Sequence, residues 1–325
     1  MSDRNDRAAL TDEDTFFLVG TTRSGTTLLG LMFRGHSAIS FPGEFDFAVD
    51  FMPEARPWPE LDGYYDWLPI NRLYRFHRPA IDRSLDFPGL IRSFVAQMKV
   101  DSAGAPRTLV GVAVHRHFDR LHQLFPKARY LHIVRDPRDV GVSWLEKGWT
   151  GNLWAASRSW QEIELLWDEV STRIPPDRRH EIRFEDLVAD PKSVLRRICD
   201  FLGLAYEESM LDYPQRSTYE AVDPKQAYKW RRSLPKRQLM LAEAPLEDVL
   251  ERRGYERSGH GALRIGALRA RLLELDDQLQ QLRSRVALFG VRNWAFDQLA
   301  KLLRAKAWRQ RLEIQRQDLV DKTLK

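Results

Sequence analysis

Short apolar runs at residues 16–19, 39–41, 108–114, 130–134 and 180–184 punctuate the chain, and the stretches between them carry helical apolar spacing. Strand-length runs alternating with helical patterns predict an α/β fold, a parallel sheet with helices on both faces. One interval breaks the rhythm. Residues 44–106 are dense in aromatics and prolines, among them Trp58, Tyr64, Tyr65, Trp67, Tyr74 and Phe76 with Pro53, Pro57, Pro59 and Pro69. That is too long for a bare loop, so it predicts a helical insert. An insert after a strand's carboxyl end lies over the ligand crevice of such a sheet. Its aromatics suit an acceptor-binding cap, and they suit a packing layer equally.

Beyond residue 256 the pattern changes. Ile265, Leu268, Leu272, Leu275, Leu279, Leu282, Val286 and Phe289 alternate spacings of three and four, which is a heptad seam. Gly290 interrupts it, and a second helical stretch follows with Trp294, Leu299, Leu302, Leu303 and Trp308. The division predicted is a main domain at residues 14–257 and a coiled-coil-like helical extension at 258–325. Residues 257–325 hold 15 Lys/Arg against 7 Asp/Glu, so the extension supplies the positive charge of a chain whose net charge is +5. Three readings of it are open. The 265–289 heptads could join copies into a homo-oligomer, the basic amphipathic surface could make peripheral membrane contact, or the helices could fold as a hairpin on their own domain.

Composition narrows the class. No apolar run approaches the roughly 20 residues of a membrane-spanning helix, and the polar start Met1-Ser2-Asp3-Arg4 lacks the apolar core of a signal peptide. Both favour a cytoplasmic protein, membrane-associated only through its extension. The single cysteine, Cys199, leaves no intramolecular disulfide and no cysteine-based metal cluster. It shares a helical pattern with Val194, Leu195, Ile198 and Leu202 and reads as a buried thiol. Neither a metal nor a nucleic-acid partner is expected.

Candidate chemistry begins where the first apolar run ends. Gly20-Thr21-Thr22-Arg23-Ser24-Gly25-Thr26-Thr27 leads a strand through a glycine-bracketed loop into a helix. Such a loop turns backbone N–H groups and the positive end of the helix toward an anion. Gly20 and Gly25 have P-loop spacing, yet Thr26 stands where the P-loop lysine should be. A nucleoside triphosphatase needs that lysine, so the loop suits another phosphate ester, with Arg23 as its cation. A second segment runs from the strand at 130–134 into Arg135-Asp136-Pro137-Arg138-Asp139 and on to Ser143. Asp136 can cap a helix whose first residue is Pro137. Arg135 and Ser143 could then converge on one anion, while Arg138 and Asp139 read as a surface ion-pair cluster.

The Arg23-Ser24-Gly25-Thr26-Thr27 loop, with Arg135-Asp136-Pro137-Arg138-Asp139 and Ser143, resembles the sulfotransferases that use 3′-phosphoadenosine-5′-phosphosulfate (PAPS). Two later segments agree, Ile182-Arg183-Phe184-Glu185-Asp186-Leu187 and Tyr228-Lys229-Trp230-Arg231-Arg232. The subgroup it is most similar to includes tyrosylprotein and bacterial carbohydrate or natural-product sulfotransferases. The resemblance implies a P-loop-type enzyme that moves a sulfuryl group from PAPS, as co-substrate, to an acceptor hydroxyl by in-line displacement without a metal. The acceptor implied is a carbohydrate, glycolipid or natural product. Residues 14–257 are then the catalytic domain. Thr22, Arg23, Ser24, Gly25, Thr26 and Thr27 would hold the 5′-phosphosulfate, and Arg135 with Ser143 the 3′-phosphate. Trp230, Arg231 and Arg232 would lie over the nucleotide. Phe184 replaces a tyrosine of the relatives and can only pack; Glu185 and Asp186 would cap the helix that begins near Pro191.

Sulfuryl transfer needs charge stabilised on the leaving phosphate and a base for the attacking hydroxyl. Arg23, Thr26 and Thr27 suit the first task by oxyanion-hole logic. Glu44, in Phe41-Pro42-Gly43-Glu44-Phe45, is the candidate base, since the resembled tyrosylprotein enzymes carry their base in a Gly-Glu at this place. Asp46 is its nearest rival, and His36 reads as a helix-end residue. Many relatives carry a lysine where this chain has Val114-His115-Arg116-His117, so His115 enters as a donor to the sulfuryl group or an alternative base. Two other functions compete. A kinase-like phosphotransferase would show lysine at position 26, and an inactive P-loop scaffold would act through the helical tail.

Overall fold

The computed structural model describes residues 11–53, 58–101, 103–261, 263–303 and 306–324. The polar start of the chain and Pro57 lie outside the described residues. Among the described residues five strands form: β1 (Thr15–Val19), β2 (Ile39–Glu44), β3 (Leu109–Val114), β4 (Arg129–Val134) and β5 (Arg179–Arg183). All pair in parallel, in the order β2-β3-β1-β4-β5. Every residue of β1 and β3 is buried, as a parallel sheet covered on both faces requires. The sheet is flanked by helices, so the α/β expectation holds.

The strands begin within a residue of the apolar runs. β2 differs by running on through Pro42 and Gly43 to Glu44, with a register shift between Ser40 and Gly43. Proline and glycine are tolerated there because β2 is an edge strand. β1 is central, with β3 on one side and β4 on the other. The order of strand addition reverses about it, and α/β sheets bind ligands beyond the carboxyl ends of strands at such a point.

The chain divides into two compact units. The first comprises the chain up to Tyr64, His77–Arg135 and Leu166–Gln226, and it holds the whole sheet. Helix α1 (Thr26–Phe33) follows β1. Helix Pro191–Leu202 buries Val194, Leu195, Ile198, Cys199 and Leu202 along one face and closes at Gly203 in a left-handed conformation. Its cap is Asp190, which accepts the Ser193 N–H at 3.0 Å. Glu185 and Asp186 were the expected caps; they lie instead in the first turn of a separate helix, Phe184–Ala189, where their charge favours the positive helix end. Burial pushes the Cys199 thiol up to about 11, so it stays protonated and inert. The insert is helical, with Leu61–Trp67, Arg72–His77 and Phe87–Gln97. Its aromatics in this unit pack on one another: Trp58 and Tyr64 lie 5.8 and 5.1 Å from Phe87, and the Tyr64 hydroxyl donates to the Phe47 carbonyl.

The second unit comprises Tyr65–Phe76, Asp136–Leu165 and the chain from Ala227 onward. Asp136 caps helix Pro137–Glu146, with Pro137 at its start, as the sequence predicts. Arg138 and Asp139 correct the expected surface cluster, because both are buried. Arg138 makes a bidentate pair with Asp136 (2.8 and 2.7 Å) and a further bond to Glu243 (2.7 Å), and it stacks 3.7 Å over Trp230. Asp139 accepts the Trp230 and Lys229 N–H groups. A planar guanidinium sandwiched this way satisfies its donors without water. The heptad region forms helix Ala267–Phe289, followed by Val291–Leu302 and Lys306–Leu324. Among the described residues no helix is long and apolar enough to cross a membrane.

Candidate active site

The loop after β1 folds as its glycines dictate. Gly20 has φ 144°, and a Cβ there would lie 2.2 Å from the Ile133 carbonyl oxygen. Gly25 has φ 99°, and its Cβ would meet Phe184 Cδ2 at 2.5 Å. Gly25 also starts α1 without a side chain to cap its first N–H groups, which leaves that helix end suited to an anion. Arg23 itself is left-handed, with φ 69°, a conformation costing roughly 1–2 kcal/mol for a side-chain-bearing residue. Ser24 turns inward. Its hydroxyl lies 2.8 Å from that of Thr21 and its N–H donates to the Thr21 carbonyl, so it braces the loop from within. Thr22 and Arg23 are half-buried, Thr26 is buried and Thr27 is exposed.

Arg135, just past β4, holds the outside of this loop. Its Nη1 donates to the Arg23 carbonyl at 3.0 Å and its Nη2 to the Gln226 carbonyl at 3.1 Å. The guanidinium sits 4.2 Å from the Phe184 ring centroid. Phe184 packs, as the sequence predicts, yet one ring serves two tasks: it supports Arg135 and fills the space beside Gly25.

Beneath the loop lies a buried relay absent from the sequence reading. Asp46 Oδ1 accepts the His115 backbone N–H at 2.9 Å, and Asp46 Oδ2 lies 3.2 Å from His115 Nδ1. On the far side of the ring, His115 Nε2 lies 3.1 Å from Thr26 Oγ1. Burial pushes the imidazole down, but the Asp46 carboxylate, helped by Glu44 and opposed by Arg116, brings it above its ordinary 6.5. Burial likewise works to raise Asp46, and the charge and hydrogen bonds of His115 with the charge of Arg116 carry it below 3.8. Asp46, the rival base by sequence, is therefore the carboxylate that orients His115. Protonated His115 donates from Nε2 to Thr26 Oγ1, which frees the threonine O–H to donate elsewhere; neutral His115 takes that proton for itself.

Glu44 ends β2, half-buried, with its carbonyl accepting His77 Nε2 at 2.9 Å. β3 separates β2 from β1, so His115, at the end of β3, follows the strand next to the loop strand. Arg116 forms a bidentate pair with Asp50, both bonds 2.7 Å. His36 closes the end of α1: its Nδ1 accepts the Ala38 N–H and its Nε2 donates to the Ala205 carbonyl. Both ring nitrogens have structural partners.

The remaining sequence candidates belong to the second unit. Ser143 is half-buried on helix Pro137–Glu146. Trp230 is buried, and its indole N–H donates to Asp136 at 2.9 Å. Arg231 lies exposed over Tyr228, 4.7 Å from the ring centroid, and Arg232 is exposed. Among the described residues no group of three or more His, Cys, Asp and Glu side chains gathers as a metal site.

The sheet, the glycine-bracketed loop and Arg135 at the end of β4 all lie within a segment that matches a known family. Residues 15–208 match the model of the sulfotransferase family, and the chain belongs to that family. It is 27% identical over 151 residues to the omega-hydroxy-beta-dihydromenaquinone-9 sulfotransferase Stf3 of Mycobacterium bovis, across 42% of this chain and 38% of that protein. It is 24% identical over 213 residues to protein-tyrosine sulfotransferase A of Caenorhabditis elegans, across 61% of this chain and 52% of that one. The chain thus spans well under two thirds of these relatives' length. In fold it is similar to the sulfotransferase domain of the curacin biosynthetic pathway, with TM-score 0.54 and 20% identity over 77% of this chain and 99% of that one. The sulfotransferase domain of the Synechococcus PCC 7002 olefin synthase is similar at TM-score 0.54 and 22% identity, over 77% and 98%.

Proposed function

We propose that this protein transfers a sulfuryl group from PAPS to an acceptor hydroxyl on a carbohydrate, glycolipid or natural product. The observation that carries the reading is the β1–α1 loop: glycine-built, open at its helix end and lacking the triphosphatase lysine, with Arg23 inside it and Arg135 bonded to its backbone. These residues fit a sulfated phosphate ester, because they offer N–H donors, two guanidinium groups and the Thr26 and Thr27 hydroxyls. When bound, PAPS supplies a sulfate–phosphate anhydride whose bond needs no metal to open.

Arg23 and the loop N–H groups stabilise the charge that gathers on the leaving phosphate. Thr26, its hydroxyl released by protonated His115, donates to the same charge. Glu44 accepts the proton of the acceptor hydroxyl. Arg135 binds the phosphate remote from the reacting bond. The domain reading that goes with this is a catalytic domain at residues 14–257, its insert an acceptor cap, and an extension at 258–325, in a cytoplasmic protein. Thermal shift tests the donor: 3′,5′-ADP should raise Tm, increasingly as its concentration exceeds its Kd, while ATP with magnesium should not. A shift with ATP and magnesium alone would turn the reading toward phosphoryl transfer.

A further inference from the structure

Helix Ala267–Phe289 is held to its unit through its polar side. The Gly151 N–H donates to Asp277 at 2.6 Å, Asn152 Nδ2 to the Leu273 carbonyl at 2.9 Å and to Asp276 at 3.1 Å, and Arg158 to Glu274 at 2.9 Å. At Gly148 an added Cβ would touch Ser284 Cβ at 2.7 Å, so the two backbones run close. With 3.6 residues per turn, Leu273, Asp277, Gln280 and Ser284 share one face. Leu268, Leu272, Leu275, Leu279 and Leu282 share the opposite one, and they are 77, 57, 49, 46 and 37% exposed. From Leu268 to Leu282 the seam that sequence would bury in a coiled coil faces outward, while Val286 and Phe289 beyond it are half-buried.

Charge on this helix is sorted as well. Glu274 and Asp277 are bonded to Arg158 and Gly151 on the docked side, with Glu274 also 3.4 Å from Arg271, while Asp276, bonded to Asn152, is exposed on the flank of Arg269 and Arg283. Its arginines border the leucines, with Arg269 and Arg283 on one flank and Arg271 and Arg285 on the other, all exposed. The next helix also leaves Val291, Trp294, Phe296 and Leu299 exposed, with Phe296 5.8 Å from Trp308. A cavity of about 330 Å³ lies where the tail helices meet, lined by Leu282, Phe289, Trp294 and Leu312 with Arg285 and Arg316.

A second copy of the chain is a poor occupant for such a seam. In a two-stranded coil the flanking positions face each other, and here they hold Arg269, Arg271, Arg283 and Arg285 against a single acid, Asp276, so two copies would repel on balance. A leucine stripe bordered by arginines matches the boundary between acyl chains and anionic headgroups. We propose that this face docks on an anionic bilayer surface, with helix Ala267–Phe289 lying in the plane of the membrane interface and the rest of its unit behind it. The surface uses no residue of the donor loop, so it stands or falls independently of the sulfuryl-transfer reading.

The test is co-sedimentation of the full chain with phosphatidylcholine vesicles, with and without phosphatidylglycerol, beside light scattering of the protein alone. Binding is expected only with phosphatidylglycerol, weakening as salt rises. Arg271→Gln with Arg283→Gln should lower partitioning about thirtyfold, and Leu272→Gln with Leu279→Gln should abolish it, both with unchanged Tm because these side chains are exposed. Failure to bind anionic vesicles would overturn the proposal, as would binding unaffected by either pair. A dimer that the leucine pair dissociates, with no vesicle binding, would assign the face to a second copy instead.

Discussion

The His115 Nε2 lies 3.1 Å from the Thr26 hydroxyl, at the position where a P-loop would carry its lysine. The cation at this point comes from the end of β3, across the sheet, and its charge depends on pH as a lysine's would not. Protonation decides which way the Thr26 proton points. Affinity for 3′,5′-ADP should therefore fall as pH rises through the raised value of His115, and His115→Gln should flatten that dependence in calorimetric titrations. The same pair shapes stability. His115 stabilises fully below its ordinary 6.5 and loses that contribution as pH rises through its higher folded value. Asp46 stabilises above 3.8 and loses its contribution as pH falls through its lower folded value. Urea midpoints should be highest between those ordinary values, and Asp46→Asn should remove the acid slope and reverse the one near neutrality, because burial then pushes His115 down.

Arg23→Ala should lower kcat by about a hundredfold or more, the usual loss for one transition-state donor. The left-handed Arg23 and its bond to Arg135 fix where the guanidinium starts. Sulfate-transfer activity within a few-fold of the parent would remove Arg23 from the chemistry.

Glu44→Gln should keep donor binding and lose about a hundredfold or more in turnover, because an amide cannot accept the hydroxyl proton. Near-normal turnover in Glu44→Gln, with His115→Ala inactive, would move the base to His115. In that case the bond to Asp46 is what orients it.

Arg138→Ala should destabilise by about 3–5 kcal/mol in urea unfolding, since it strands Asp136 and Glu243 in a buried site. Glu243→Ala should cost a comparable amount, and it also removes the acceptor of the Ser258 N–H and hydroxyl. A change below about 1 kcal/mol in both would mean that water reaches this cluster.

The sheet was legible because its signal is local. Each apolar run sits on one strand, and Asp136-Pro137 and Gly203 mark helix ends by backbone chemistry that needs no distant partner. The loop was legible for the same reason. What sequence could not supply was pairing across long separations. Asp46 and His115 are 69 residues apart and His115 and Thr26 are 89 apart, so their meeting depends on β3 lying between β2 and β1. Arg138 looked like a surface charge because its partner Glu243 is 105 residues away. The leucines from Leu268 to Leu282 form a seam by spacing alone, and spacing does not say which face of a helix its neighbours hold.

Isothermal titration with 3′,5′-ADP, 5′-AMP and ATP with magnesium, on the parent protein and on Arg135→Ala, tests the sulfotransferase reading most directly. The account predicts that the parent binds 3′,5′-ADP at least about tenfold more tightly than 5′-AMP, roughly 1.4 kcal/mol. Arg135→Ala should erase that preference while leaving 5′-AMP nearly unchanged. Tighter binding of ATP with magnesium, or equal weakening of both monophosphate-bearing ligands in the variant, would contradict it.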